Sequence, residues 1–156
     1  MTLGLVAQLC SCTKTLDPFT GSMGVRANIN GEKYILITNA DRTPNGHLEG
    51  NSFTMKERLT EPRSWDVYGN RKHSKSYDLS FDIHGEGYLT TGVSYSVGPE
   101  GFSARLSAVD GMDQAVPLRG WIRFYDVSSK IEAEFELESE RGNYVIRHGF
   151  CRLQNR

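Results

Sequence analysis

From residue 24 onward the chain is dominated by apolar and polar positions that alternate with a period of two, the signature of strands with one face in a core and one in water. Val25, Ala27 and Ile29 alternate with Arg26, Asn28 and Asn30. Asn30-Gly31 then predicts a hairpin turn, because both residues tolerate positive φ. Tyr34-Ile35-Leu36-Ile37 reads as the partner strand, apolar on both faces. The segment from Asn39 to Gly50 reads as turn-rich, centred on Thr43-Pro44-Asn45-Gly46. Residues 52–57 and 64–68 are further short strand candidates. Tyr77, Leu79, Phe81 and Ile83 form one face of a strand that ends at His84-Gly85-Glu86-Gly87. Leu89, Thr91, Val93, Tyr95 and Val97 read as one face of the next, before a turn at Gly98-Pro99-Glu100-Gly101. Phe102, Ala104, Leu106 and Ala108 follow, and Asp110-Gly111 and Pro117 are read as a loop. Trp121 to Val127 is a strand, and Arg141-Gly142-Asn143 turns the chain into a last strand from Tyr144 to Leu153.

The strictest alternation is Ile131, Ala133, Phe135 and Leu137 against Glu132, Glu134, Glu136 and Glu138. It places four carboxylates in a row on a wet sheet face. Such a row is expected to oppose cationic side chains across the sheet, with Arg147 and Arg152 as the neighbours, rather than to hold a metal. About nine to ten short, evenly spaced strands with no convincing helix predict an all-β fold, an antiparallel β-sandwich or a partly closed barrel.

The first residues differ from the body. Residues 1–11 carry no charge, and the chain then changes at once to Cys12-Thr13-Lys14-Thr15-Leu16-Asp17-Pro18. A short apolar stretch ending in small residues has the shape of a secretory signal and is too short to span a bilayer. Leu9-Cys10-Ser11-Cys12 resembles a bacterial lipobox, with Leu three residues before the cysteine and a small residue directly before it. Acylation of Cys12 would add two or three lipid chains, enough for stable anchoring where one is marginal. Only Met1-Thr2 precedes the apolar run, without the basic start of a complete signal, so either the true start lies upstream or the chain is truncated. The competing reading of residues 3–9 is a first β-strand. The expected organisation is therefore a signal-peptide remnant over 1–11, a lipidated tether over 12–23 and one all-β domain over 24–156.

Composition narrows the function. The 156 residues suffice for one domain, and 38% hydrophobic with 24% charged residues suits a folded rather than a disordered chain. Eighteen basic and nineteen acidic side chains give a net charge of −1. That balance removes the electrostatic drive for nucleic-acid binding. Three cysteines, Cys10, Cys12 and Cys151, do not make a disulfide framework, and no ligands at zinc spacing follow the first two. No Gly-x-Ser-x-Gly elbow, His-Glu-x-x-His or phosphate loop occurs. His47, His73, His84 and His148 are scattered, and Cys151 reads as a packed strand residue. No catalytic residue, cofactor or metal site is expected. The remaining clue is aromatic. Trp65, Tyr68, Trp121 and Tyr125 could build a sugar-stacking platform or a partner hot spot, against the alternative that they fill the core.

Ile29-Asn30-Gly31-Glu32-Lys33-Tyr34 at the start of the domain is joined by a closing set: Tyr125-Asp126-Val127, Ile131 to Leu137, and Val145-Ile146-Arg147-His148-Gly149-Phe150-Cys151-Arg152-Leu153. With the lipobox and tether, this pattern resembles small lipoproteins of Bacteroidota that carry a domain of unknown function. Glu134 and Arg147-His148-Gly149 depart from the commoner residues of that pattern. The resemblance implies a bacterial cell-envelope location, lipid-anchored on a periplasmic face or the outer-membrane surface. It transfers no ligand-binding residues. The expected role is a non-catalytic binding or adhesion module for glycan or an envelope protein. The alternatives are a structural accessory subunit that pairs an edge strand within an envelope complex, or a carbohydrate-active enzyme.

Overall fold

A computed structural model describes residues 23–37, 45–60, 75–109 and 114–156. The expected strand at residues 64–68, the signal and tether residues and Asp110-Gly111 lie outside these. The described chain is ten strands and no helix: β1 (Gly24–Ile29), β2 (Glu32–Ile37), β3 (Asn45–Glu49), β4 (Ser52–Thr60), β5 (Ser76–His84), β6 (Ser94–Val97), β7 (Phe102–Ala108), β8 (Val116–Val127), β9 (Lys130–Ser139) and β10 (Val145–Asn155). The all-β fold is as expected, and of the two architectures the chain adopts the barrel.

Seven strands close a circuit, β3–β4–β5–β7–β8–β9–β10, with β10 returning to β3. Every step is antiparallel except the last, where Gln154 and Asn155 run parallel to Asn45 and Gly46. The β1–β2 hairpin lies along β10, and β6 lies along the middle of β8, from Gly120 to Arg123. The β1–β2 turn forms as its sequence dictates, with Asn30 and Gly31 both at positive φ.

Three readings of the sequence change. Asn45–Glu49 is a strand within the segment read as turn-rich, because a hairpin at Gly50 pairs it with β4. Leu89 to Val97 is not one strand: only Ser94–Val97 is, and the earlier part crosses the barrel rim with Leu89 buried and Val93 exposed. Pro117 is not in a loop. It lies in β8 opposite Arg105 of β7.

The barrel is filled by rings that meet from opposite walls. Phe53 on β4 packs edge-on to Phe124 on β8, centroids 5.1 Å apart, and Phe81 on β5 does the same to Phe135 on β9, also at 5.1 Å. Tyr34, Tyr77 and Tyr144 continue the stack, with centroids 5.1 and 5.9 Å apart. Phe135 has room for its ring because Gly149 faces it across the β9–β10 ladder: a Cβ there would lie 2.2 Å from a ring carbon.

Two bulges keep long strands in phase with this core. In β10, Ile146 opposes Leu137 but Gly149 opposes Phe135, so one extra residue is inserted at Arg147-His148. His148 takes the strain at φ +52°, a region that His enters more readily than most residues. Without the insertion, Phe150 and Arg152 would point inward and Cys151 and Leu153 outward. In β8 the extra residue is Tyr125, between Phe124 opposite Ala133 and Asp126 opposite Glu132.

One side chain reinforces the backbone pairing that closes the barrel between β3 and β10. The Asn155 carboxamide accepts from Leu48 N–H (2.8 Å) and donates to the Leu48 carbonyl (3.0 Å), as a neighbouring strand would, and it also donates to the Ser128 carbonyl (3.0 Å). Asn155→Ala should therefore destabilise the fold by about 2 kcal/mol, the loss of several partly buried hydrogen bonds. For a chain of this size that is a fall in melting temperature of roughly 4–8 °C. A melting temperature unchanged by the substitution would show that the β3–β10 seam does not depend on this residue.

Candidate functional site

On β8 the period of two sends Trp121, Arg123 and Tyr125 outward, with Ile122 and Phe124 buried between them, and the bulge that follows keeps Asp126 on the outer side as well. Neither Trp121 nor Tyr125 joins the core. Trp121 is half-buried, and Tyr125 is 48% exposed. The strand register brings partners to this stripe from both sides. Ser94 and Ser96 of β6 oppose Arg123 and Trp121, and Glu134 and Glu136 of β9 oppose the same two residues on the other edge. Phe150 of β10 lies beyond Glu134, and Arg26 of β1 beyond Phe150.

Arg123 organises the stripe. Its Nε and Nη2 donate to Ser94 Oγ at 3.0 and 2.8 Å, its Nη1 lies 3.8 Å from Glu134, and its guanidinium carbon sits 5.8 Å from the Trp121 ring centre. Tyr125 donates its hydroxyl to Glu134. Partial burial, then the hydrogen bond to Glu134 and its negative charge, raise the Tyr125 pKa above the ordinary phenol value. A guanidinium, a carboxylate, a phenol and an indole thus lie along one outer stripe, tied together through Arg123 and Glu134.

Three of the four glutamates on β9, Glu132, Glu134 and Glu138, face cationic partners as the alternation implies. Glu132 takes Arg152 (2.7 Å) and Lys130 (2.9 Å), and Glu138 sits between Arg119 (3.6 Å) and Arg147 (3.7 Å). Asp126 is held by Ser128, whose amide and hydroxyl donate to it and lower its pKa. Between β9 and β10 the β10 bulge opens a shallow recess of about 70 Å³, lined by Trp121, Glu134, Glu136, His148 and Phe150 among others. A groove on the other side of Trp121 is lined by Ser96, Arg119, Glu136, Glu138 and Arg147. Trp121 and Glu136 belong to both, so the two form one polar surface with an indole at its centre.

Among the described residues, no three His, Cys, Asp or Glu side chains converge as metal ligands. Cys151 is fully buried, and burial pushes its thiol up to about 12, so it stays protonated and inert as a nucleophile. No described helix is long and apolar enough to cross a membrane.

Of the residues singled out in the sequence, Trp121 and Tyr125 come together, while Cys12, Trp65 and Tyr68 lie outside the described residues. Arg123, Ser94, Glu134 and His148 were not read as site residues. Arg123 was legible, since it shares the alternation phase of Trp121. Ser94 and His148 were not, because their placement depends on pairing and on a bulge. Compared with known protein families, with curated proteins and with solved structures, the chain matches none.

Replacing Glu134 by Gln removes the charge that opposes phenolate formation. The Tyr125 pKa should fall towards the ordinary phenol value, read from the pH dependence of its ring-carbon NMR signal. Because the folded-state value is raised, Tyr125 contributes stability that is complete below the unfolded-state pKa and is lost as pH rises through the folded one. Glu134→Gln should therefore soften the alkaline loss of stability. An unchanged Tyr125 titration would remove Glu134 as a cause of the shift.

Proposed function

We propose that this barrel is a non-catalytic glycan-binding module, and that its ligand lies across Trp121, Arg123 and Tyr125 on the outer face. The observation that carries the reading is the position of these side chains: an aromatic stripe, fixed by Arg123 and Glu134, on the outside of a barrel whose inside is already packed with rings. A barrel that carries its ligand inside needs interior space, and here Phe53, Phe81, Phe124 and Phe135 occupy it.

The chemistry of the face favours a sugar. Among the described residues, Arg119, Arg123, Lys130, Arg147 and Arg152 are interspersed with Asp126, Glu132, Glu134, Glu136 and Glu138, so neither sign gathers into a continuous patch of the kind a polyanion needs. What it offers is fixed ionised donors and acceptors beside aromatic planes. Charge-assisted hydrogen bonds suit hydroxyl groups, and a ring face suits the C–H face of a pyranose. Bulges on β8 and β10 flank the site, a common way for a sheet to re-aim side chains where it binds.

On a glycan array, the full-length chain should bind one class of oligosaccharide, and Trp121→Ala or Tyr125→Ala should weaken that binding about tenfold, corresponding to roughly 1–2 kcal/mol for an aromatic contact. Binding to no glycan, or binding indifferent to Trp121→Ala but lost in Trp65→Ala, would overturn this assignment of the face.

The same reading places the module at a bacterial envelope through lipid on Cys12, supported by the Leu9-Cys10-Ser11-Cys12 pattern and the polar residues that follow. Expressed behind a complete export signal, the protein should partition into detergent, and Cys12→Ala should leave it soluble or unprocessed. Identical behaviour of both forms would contradict the anchor.

A further inference from the structure

We propose that the barrel rim around Tyr88 is a second recognition surface, separate from the glycan face, which receives a positively charged side chain of a protein partner against the Tyr88 ring between Glu49 and Glu86. Tyr88 is 82% exposed, the most exposed large apolar side chain described, and it is not on a loose loop. Its neighbour Leu89 is buried and plugs the barrel end, so an extended backbone must send Tyr88 the other way. Four backbone and side-chain bonds hold the segment. Leu89 N–H donates to the Gly50 carbonyl (2.9 Å), Gly85 N–H to the Asn51 carbonyl (2.8 Å), the Asn51 carboxamide to the Gly85 carbonyl (2.6 Å), and Gly92 N–H to the Phe124 carbonyl (2.9 Å). The ring rests over the β3–β4 turn. Gly50 has φ +60°, and a Cβ there would come 3.3 Å from the ring. The backbone that carries the tyrosine is thus held in place while its ring stands in the open, so binding orders the side chain and not the segment.

The surroundings set the sign of the partner. Among the described residues, the open recess beside Tyr88 is lined by His47, Glu49, Gly50, Asn51, Ser52, Glu86 and Gly87, which include two exposed carboxylates and no Lys or Arg. His47 Nδ1 lies 2.6 Å from the Arg156 carbonyl, and its Nε2 lies 3.5 Å from Glu49, while Glu86 has no such neighbour among the lining residues of the recess. Its volume, about 740 Å³, admits a Lys or Arg side chain without enclosing it. An exposed aromatic face flanked by carboxylates attracts a cation through the ring quadrupole and through charge together, and a rim of this kind recognises a basic segment.

The probe is a hexalysine peptide titrated into the isotope-labelled full-length chain at physiological salt, with hexaglutamate as the control, followed by NMR. Hexalysine should shift the Gly50, Glu86 and Tyr88 amides first, Tyr88→Ala should weaken its binding about fivefold, and Tyr88→Phe should retain it. A Glu49→Gln/Glu86→Gln double variant should also weaken it. Tyr88 is so exposed that Tyr88→Ala should melt at the wild-type temperature, which separates loss of binding from loss of fold. Shifts spread over acidic residues elsewhere, or hexalysine binding equal in Tyr88→Ala and wild type, would overturn the proposal. Neither outcome bears on the Trp121 face.

Discussion

Two pairs of rings, Phe53 with Phe124 and Phe81 with Phe135, meet across the interior, and the rest of the structure follows from accommodating them. Their strands belong to opposite walls of one circuit, so packing them is the same event as closing the barrel. Filling the interior excludes water from every inward backbone position and ties together contacts distant in sequence. It also has a consequence for function. A barrel full of its own side chains has only its outside and its ends with which to meet other molecules.

That constraint explains why the two bulges matter. Long strands drift out of phase with a curved core, and a single inserted residue restores the inward set without changing the sequence pattern elsewhere. In β10 the insertion keeps Gly149 under Phe135 and keeps Cys151 and Leu153 inside. In β8 it keeps Asp126 out and lets Val127 pack against the core. The residue left over in β8 is Tyr125, and the residues left over in β10 open the recess beside Trp121. The outer face is thus shaped by corrections that the core demands.

The sequence made much of this legible, for identifiable reasons. β5, β7 and β9 alternate without a break, and the Glu132 to Glu138 row revealed its ion-paired outer face in advance. β3 was hidden because its five residues carry turn-forming Asn45 and Gly46, and it becomes a strand only when β4 and β10 flank it. The barrel closure was hidden too, since it joins β3 and β10, about a hundred residues apart, by a short parallel pairing that the Asn155 side chain reinforces at Leu48. Pro117 misled because a proline near a sheet usually marks a loop, whereas here it occupies the start of β8. Trp121 and Tyr125 share one alternation phase and so one side of β8, but the Ser94, Glu134 and His148 side chains beside them were not legible, since strand pairing and the β10 bulge bring them there.

The central claim is that recognition takes place on the outer β8–β9 face and not within the barrel. Its most direct test is NMR mapping on the full-length chain with oligosaccharides released from bacterial envelope material. The account predicts that the Trp121 indole N–H and the Tyr125 ring respond first while the methyl groups of Ile122 and Leu137, which point inward from the same strands, stay where they are. Shifts concentrated on those interior methyls, with Trp121 and Tyr125 unmoved, would contradict it.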